Sequence, residues 1–264
     1  MGGTGSLRME QAQGCYLYCV ADGGEEANLG RVGLEGREVD TIPYNDISAV
    51  VHSCPAQPYQ SQDRQVIEAW VVAHHRVVNL AWERWGTVLP MTFDTIIAGE
   101  TETEARGNVQ AWLGQEYSNL QGKLARVRGK AEFAIQVFWE PETRVGPIQE
   151  DSPPVVPCPP GEGSPGRAYL SRLALERRQN RELETMAQQR CQELCRCLQG
   201  LVDALRVEST RKAGPGLLTL MNLSCLVAKD RASSLKEELE RVQEREKMQV
   251  RLTGPWPVYS FVNY

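Results

Sequence analysis

Histidine is scarce in this chain: three occur in 264 residues, and two of them are adjacent. A Ser-His-Asp relay or a histidine-rich metal centre therefore has little to draw on. Aromatic residues make up only 7%, so leucine, valine and isoleucine must fill most of any core. No G-x-x-x-x-G-K-[S/T] loop occurs, and no G-x-G-x-x-G follows a strand-like segment, which excludes two common phosphate cradles. No apolar run reaches the ~18 residues that a membrane helix needs. The longest, Gly216–Ala228, is interrupted by Thr219, Asn222 and Ser224, so no lipid membrane is expected as a partner. The opening MGGTGSLRMEQAQG lacks the apolar stretch of a secretory signal. The 8 cysteines then read as reduced thiols in a cytoplasmic protein. A dense basic stripe is missing too. Net charge is −5, and glutamates interleave with the arginines between Arg167 and Arg211, so nucleic acid is not an expected partner.

What is present is patterned. Gly14–Val20 reads as a strand, Asp22–Gly36 as a loop, and Val39–Ile42 and Ile47–His52 as strands. A helix is expected from Ser61 to Trp85, closed by Gly86. It carries two apolar stripes: Val66, Trp70, Val77, Ala81 and Ile67, Val71, Val78, Trp82. Together these are wider than a surface helix normally shows. A strand over Val88–Ile97, a helix over Thr101–Val127 and an alternating strand over Lys130–Trp139 follow. This order fits a ferredoxin-like α/β sandwich over residues 14–140.

Residues 141–166 hold eight prolines and read as a linker or surface loop. A long, Arg- and Glu-rich helix then runs towards Leu205. Strands at Val207–Thr210 and Leu217–Val227, a charged helix over Asp230–Gln249 and a last strand over Val250–Val262 complete a second domain, 167–264. The expected class is α+β: two modified ferredoxin-like sandwiches plus a long helical segment.

Candidate chemistry is sparse. His74 and His75 diverge by about 100° on their helix and cannot share an ion as i,i+4 histidines can, so both read as satisfied helix residues. Cys191 and Cys195 lie one turn apart, Cys197 points elsewhere, and no fourth ligand lies near. Zinc favours paired Cys-x(2–4)-Cys knuckles. No metal, cofactor or catalytic group is assigned, which favours an interaction or assembly role over an enzyme.

The strongest signal closes the chain: Leu252–Val262, LTGPWPVYSFV. Gly254 permits unusual φ, and Pro255 and Pro257 stiffen the backbone beside Trp256. Val258, Ser260 and Val262 alternate with Tyr259 and Phe261, as in a central strand buried on both faces. Gly254, Pro255, Trp256, Pro257, Tyr259 and Phe261 thus form a structural signature expected to lock the terminus into a sheet core. This ending closely resembles that of the gas vesicle protein F/L family (GvpF and GvpL). The segments YLYCV (16–20), HHRVV (74–78) and VLPMTFDTII (88–97) are similar to the same family. One departure is Asp94, where the family often has glycine after the strand phenylalanine.

The resemblance implies an accessory or minor structural protein of gas vesicle assembly, cytoplasmic and vesicle-associated. Its implied partners are the small, very apolar shell subunit, gas vesicle protein A, and other vesicle accessory proteins. An apolar face awaiting assembly is an aggregation hazard. A soluble acidic protein could bind that face non-covalently and keep the subunit competent. Two surfaces qualify here: the second stripe of the Ser61–Trp85 helix, with Val71, Val78 and Trp82, and an exposed sheet edge. The alternatives are a small-molecule enzyme on a ferredoxin-like scaffold, marked by a deep apolar cleft with perturbed histidines or carboxylates, and a helical scaffold led by Arg167–Leu205.

Overall fold

An unbroken apolar run such as Cys15–Ala21 needs cover on both faces. In the computed structural model, which describes residues 12–139, 165–208, 218–246 and 248–262, that run forms β1 (Gln13–Ala21). Every residue from Gly14 to Ala21 is buried. The chain divides into two compact units. One comprises Met1–Glu132 with Gly254–Tyr264, the other Phe133–Thr253.

In the first unit β1 lies inside a sheet with β2 (Asn28–Gly30), β3 (Val39–Tyr44), β4 (Ile47–Pro55), β5 (Val88–Pro90) and β6 (Ile96–Gly99), in the order β2-β3-β4-β1-β5 with β6 also on β1. The described pairings are antiparallel. Leu17 pairs with Val51 and Cys19 with Val50, leaving Tyr18 as the extra residue of a bulge. Bulges re-aim side chains, and Tyr18 is aimed at a histidine described below. The part of β3 that extends past its pairing with β2 is blunted: Pro43 has no N–H to offer, and its carbonyl accepts from Gln110 Nε2 at 3.4 Å.

Two helices cover this sheet. Helix α1 (Arg64–Trp85) starts at Asp63, whose side chain accepts from the Gln65 N–H, and stops at Gly86 with φ 73°, a left-handed end that glycine adopts without strain. Its buried residues His74, Val77, Val78 and Ala81 keep the 3–4 spacing of one face and pack with Tyr16 and Tyr18. Helix α2 (Glu102–Val127) is capped by Thr101 and buries Val109, Leu113, Leu120 and Leu124. It packs on β1, β3, β4 and β6. Cys15, which points away from the tyrosines by strand alternation, lies near Arg106 and Glu102 of α2. Both faces of β1 are thereby closed.

The expected single strand Val88–Ile97 is in fact two, β5 and β6, broken by a turn at Met91–Thr95. Asp94 causes the break. Its φ is 69°, the left-handed region that Asp tolerates better than most residues and β-branched residues resist. Its side chain accepts from the Tyr59 N–H at 2.9 Å. Asp94 thus fills a position suited to the glycine of the resembled family, and adds a hydrogen bond that glycine cannot make.

The second unit is built on the sheet β10-β7-β9-β8, with β7 (Lys130–Trp139), β8 (Ala204–Glu208), β9 (Leu218–Ala228) and β10 (Met248–Trp256). Helix α3 (Pro165–Leu198) packs on β9 and on α4 (Ala232–Glu246). Near its end Leu194 and Leu198 are buried, and Arg190 reaches the Glu246 backbone carbonyl at 2.9 Å. Ala174, Arg177, Arg181 and Met186 are exposed. The fold is therefore α+β, two modified ferredoxin-like sandwiches with a long helical segment.

Two expectations are corrected. The strand 130–139 was expected to complete the first sandwich of a domain at 14–140; it belongs to the second sheet. Alternation in KAEFAIQVFW shows that one side is buried, not which sheet buries it. The unit boundaries accordingly differ from 14–140 and 167–264: 133–139 fall with the second unit and Gly254–Tyr264 with the first. The expected linker lies outside the described residues up to residue 164. The last strand was expected to be central and to run to Val262. Instead β10 is an edge strand ending at Trp256, and Trp256 is 46% exposed. Prolines, lacking an N–H, are confined to sheet edges, and Pro255 and Pro257 end the pairing here.

Replacing Asp94 separates its two roles. Asp94→Gly keeps the positive φ and loses one hydrogen bond, a cost of about 1 kcal/mol. Asp94→Val also strains the backbone, adding ~1–3 kcal/mol. Urea denaturation of the two variants should rank them in that order.

Candidate functional site

Tyrosine hydroxyls on a strand buried from both sides must find protein partners. Tyr16 and Tyr18 are both fully buried. The backbone N–H of Asp94 donates to Tyr16 Oη at 3.1 Å, and that of Leu34 donates to Tyr18 Oη at 2.9 Å. Each hydroxyl is then left to donate its own proton. Tyr16 Oη lies 2.9 Å from His74 Nδ1, and Tyr18 Oη lies 2.8 Å from His52 Nδ1. Both Nδ1 atoms are therefore acceptors, and both rings carry their proton on Nε2. His52 Nε2 passes its proton towards Tyr59 Oη at 3.0 Å, while His74 is also bonded to the Met91 backbone.

The rings pack as tightly as they bond. Tyr16 stacks on His52 at a 5.1 Å centroid distance and meets Tyr18, Tyr59, His74 and Phe93 between 4.8 and 6.1 Å. Trp70 of α1 sits edge-on to Tyr59 at 5.2 Å. Burial holds His52 and His74 down at about 4, with Arg37 and His75 respectively pushing the same way. It also raises Tyr16, Tyr18 and Tyr59 above the usual phenol range. At neutral pH this is a set of neutral, closed hydrogen bonds. A general acid or base would be tuned near the working pH and reachable by substrate; His52 and His74 are 0% and 3% exposed. The clefts beside α2 are lined instead by polar residues such as Asn28, Glu26 and Gln110. Within them the Arg106–Asp40 pair is already satisfied by two bonds, at 2.8 and 3.2 Å.

The third histidine, His75, is exposed and takes a different partner. Its Nδ1 lies 2.9 Å from Tyr259 Oη, with the rings edge to face at 5.3 Å. The C-terminal tail thus returns to α1. There Glu132, only 7% exposed, receives the Tyr259 and Ser260 N–H groups at 2.7 Å each and the Ser260 hydroxyl at 2.5 Å.

The residues expected to bind a partner separate. Val78 is fully buried in the core and cannot be a contact surface. Val71 and Trp82 are half-buried at its margin. Val71, His75, Asn79 and Trp82 follow at helical steps of three and four, and beside them Val72 is 66% exposed and Ile67 39%. In the signature, Pro257 and Val258 are buried, Tyr259 and Phe261 half-buried, and Gly254, Pro255 and Trp256 exposed. Cys191, Cys195 and Cys197 are half-buried and do not converge: the Cys191 thiol donates to the Leu220 carbonyl at 3.6 Å, whereas Cys197 lies 4.0 Å from Arg245. No trio of His, Cys, Asp or Glu among the described residues could hold a metal ion. The reading of His74 and His75 as satisfied residues agrees with their bonds. Glu132 was missed, because its place in the alternation of KAEFAIQVFW is that of a solvent-facing residue. No sequence signal marks it.

Over residues 14–263 the sequence matches the family described as gas vesicle synthesis protein GvpL/GvpF. Gas vesicle protein L1 of Halobacterium salinarum is 26% identical over 264 residues, covering 95% of this chain and 90% of that protein. Gas vesicle protein L of Haloferax mediterranei is 28% identical over 240 residues, covering 87% and 72%. Among crystal structures, GvpF from Anabaena sp. PCC7120 gives a TM-score of 0.70 at 14% identity over 96% of this chain and 99% of its own. GvpF from Microcystis aeruginosa gives 0.62 at 13% identity over 94% and 98%. At such identities the structural likeness is one of fold.

The buried histidines set a pH dependence. Their folded values, about 4, lie below the ordinary imidazole value of 6.5, so the unfolded chain binds more protons between those limits. Stability is full above 6.5 and falls as pH drops towards 4, by on the order of 3 kcal/mol per histidine. Urea midpoints measured down this range should fall, and His52→Asn should flatten the slope. A slope unchanged in that variant would show that His52 does not carry it.

Proposed function

Because the chain belongs to the GvpL/GvpF family of gas vesicle synthesis proteins, we propose that it serves gas vesicle formation without catalysis, by binding the apolar shell subunit, gas vesicle protein A. Other vesicle accessory proteins are its further partners. It acts in the cytoplasm and in association with the vesicle. No helix among the described residues is long and apolar enough to cross a membrane, which is compatible with this setting.

The observation that carries the reading is the outer margin of α1. In a chain of net charge −5, Val72 and Ile67 stand exposed there, flanked by half-buried Val71 and Trp82. Val72 and Ile67 are not among the residues that pack the core cluster beneath, whereas Trp82 is. Such a margin offers an apolar face a landing site on a rigid helix. The other expected surface, a sheet edge, has less support in the first unit, because its edge strands β2 and β5 are three residues each and Pro43 interrupts the side of β3 left free beyond β2. Binding would cover the shell subunit's apolar face until it joins the wall, and the acidic remainder of the chain would keep the complex dispersed. The enzyme alternative finds no support in His52 and His74, which are buried, neutral and engaged with tyrosine hydroxyls.

Co-expression of the chain with the shell subunit tests the proposal. The wild-type chain should retain the subunit on purification while an unrelated acidic protein does not. Val72→Asp combined with Val71→Ser should lower retention roughly tenfold, the equivalent of about 1.4 kcal/mol of lost apolar contact. Its circular dichroism should stay unchanged. No retention by the wild type would end the shell-binding reading; full retention by the double variant would move the site away from α1.

A further inference from the structure

The tail that meets Glu132 is a bound peptide in all but linkage. The body of β10 up to Thr253 belongs to the second unit, yet from Gly254 onward the chain counts with the first. The crossing is made by Gly254, Pro255 and Trp256, all exposed. Beyond them the tail is recognised in detail. One oxygen of Glu132 receives two successive backbone N–H groups, and its other oxygen receives the Ser260 hydroxyl. His75 bonds the Tyr259 hydroxyl, Tyr259 packs against the aromatic cluster, and Val258 and Val262 are 2% and 6% exposed.

A carboxylate buried to receive consecutive amides selects a backbone in one register. Greasy packing alone would hold a terminus without such selection. We propose that this seat is an exchangeable peptide-binding site, and that its partner in trans is the tail of a second copy of this chain. Each contact joins a seat residue to a tail residue, so all of them are conserved whichever copy supplies the tail. Exchange re-routes the exposed segment 254–256, at the cost of the last residues of β10, and adds the entropy of association. The second copy is thus the occupant whose chemistry the seat is already shown to fit. In cis the tail competes at an effective concentration of roughly millimolar. Single chains therefore dominate when dilute, and paired chains appear on concentration or when the cis tail is weakened.

The test separates seat from tail. The full chain with Tyr259→Ala and Ser260→Pro keeps the seat and strips from its own tail the Tyr259 ring, the Ser260 hydroxyl and one of the two N–H groups that Glu132 receives. A labelled peptide of sequence Gly254–Val262 should bind it saturably, and adding Glu132→Ala should weaken that binding by roughly tenfold or more. Mixed with a full chain carrying only Glu132→Ala, whose tail is intact, the seat-competent variant should form a one-to-one heterodimer by light scattering. Absence of saturable peptide binding, binding indifferent to Glu132, or peptide binding without heterodimer would each overturn the proposal. Two differently tagged wild-type copies require no folded variant: they should co-purify from concentrated solution and be parted by excess peptide. Failure to co-purify, or co-purification that the peptide does not disturb, overturns it equally.

Discussion

Covering β1 on both faces obliges the first unit to satisfy two tyrosine hydroxyls without water. An unpartnered buried polar group costs ~1–3 kcal/mol, comparable to a large part of a domain's margin. The solution recruits elements far apart in the chain. Asp94 in its turn and Leu34 beyond the first loop supply amides, while His52 of β4 and His74 of α1 supply acceptors. Tyr16 and Tyr18 thereby fix the rotation of α1, the position of the β5–β6 turn and the protonation of two histidines together. Neutral imidazoles are a condition of that fit, since a charged ring there would be both desolvated and left without its Nδ1 acceptor role.

With its inner face pinned at His74, α1 has its outer side determined. His75, about 100° further round the helix, reaches the tail, and Val71, Val72 and Trp82 flank it. The same helix thus anchors the core, receives the C-terminus and carries the apolar margin proposed to meet the shell subunit. A substitution at Val78 would disturb all three through packing. Substitutions at Val72 act on the margin alone. That difference makes the surface separable from the fold by experiment.

Much of this architecture was legible in the chain itself. The helix stop at Gly86 and the start at Thr101 were expected, and the first helix is capped at Asp63, two residues after the expected Ser61, because capping chemistry acts within a few residues. Gly14–Val20 read as a strand from its short apolar and aromatic run, and the packed sheet shows it buried on both faces. The closing signature and three internal segments carried the family. What could not be read depends on partners distant in sequence. Asp94 was noticed as a departure, but its left-handed turn shows only when β5 and β6 both pair with β1. Val78 and Val71 look alike on a helical wheel, and only the packed sheet assigns one to the core and the other to its margin.

Local composition and periodicity determined most of the elements, the α+β class and the absence of the common nucleotide and zinc motifs, and the closing motif carried the resemblance to the family, because each rests on short-range geometry or on an uninterrupted string of residues. Tertiary structure alone decided that β7 serves the second sheet, that Trp256 is exposed at the end of an edge strand, and that Glu132 is buried beneath a returning tail. Strand alternation and proline placement fix which backbone groups and faces are available; which neighbour takes them is settled by the free energy of the whole packed chain.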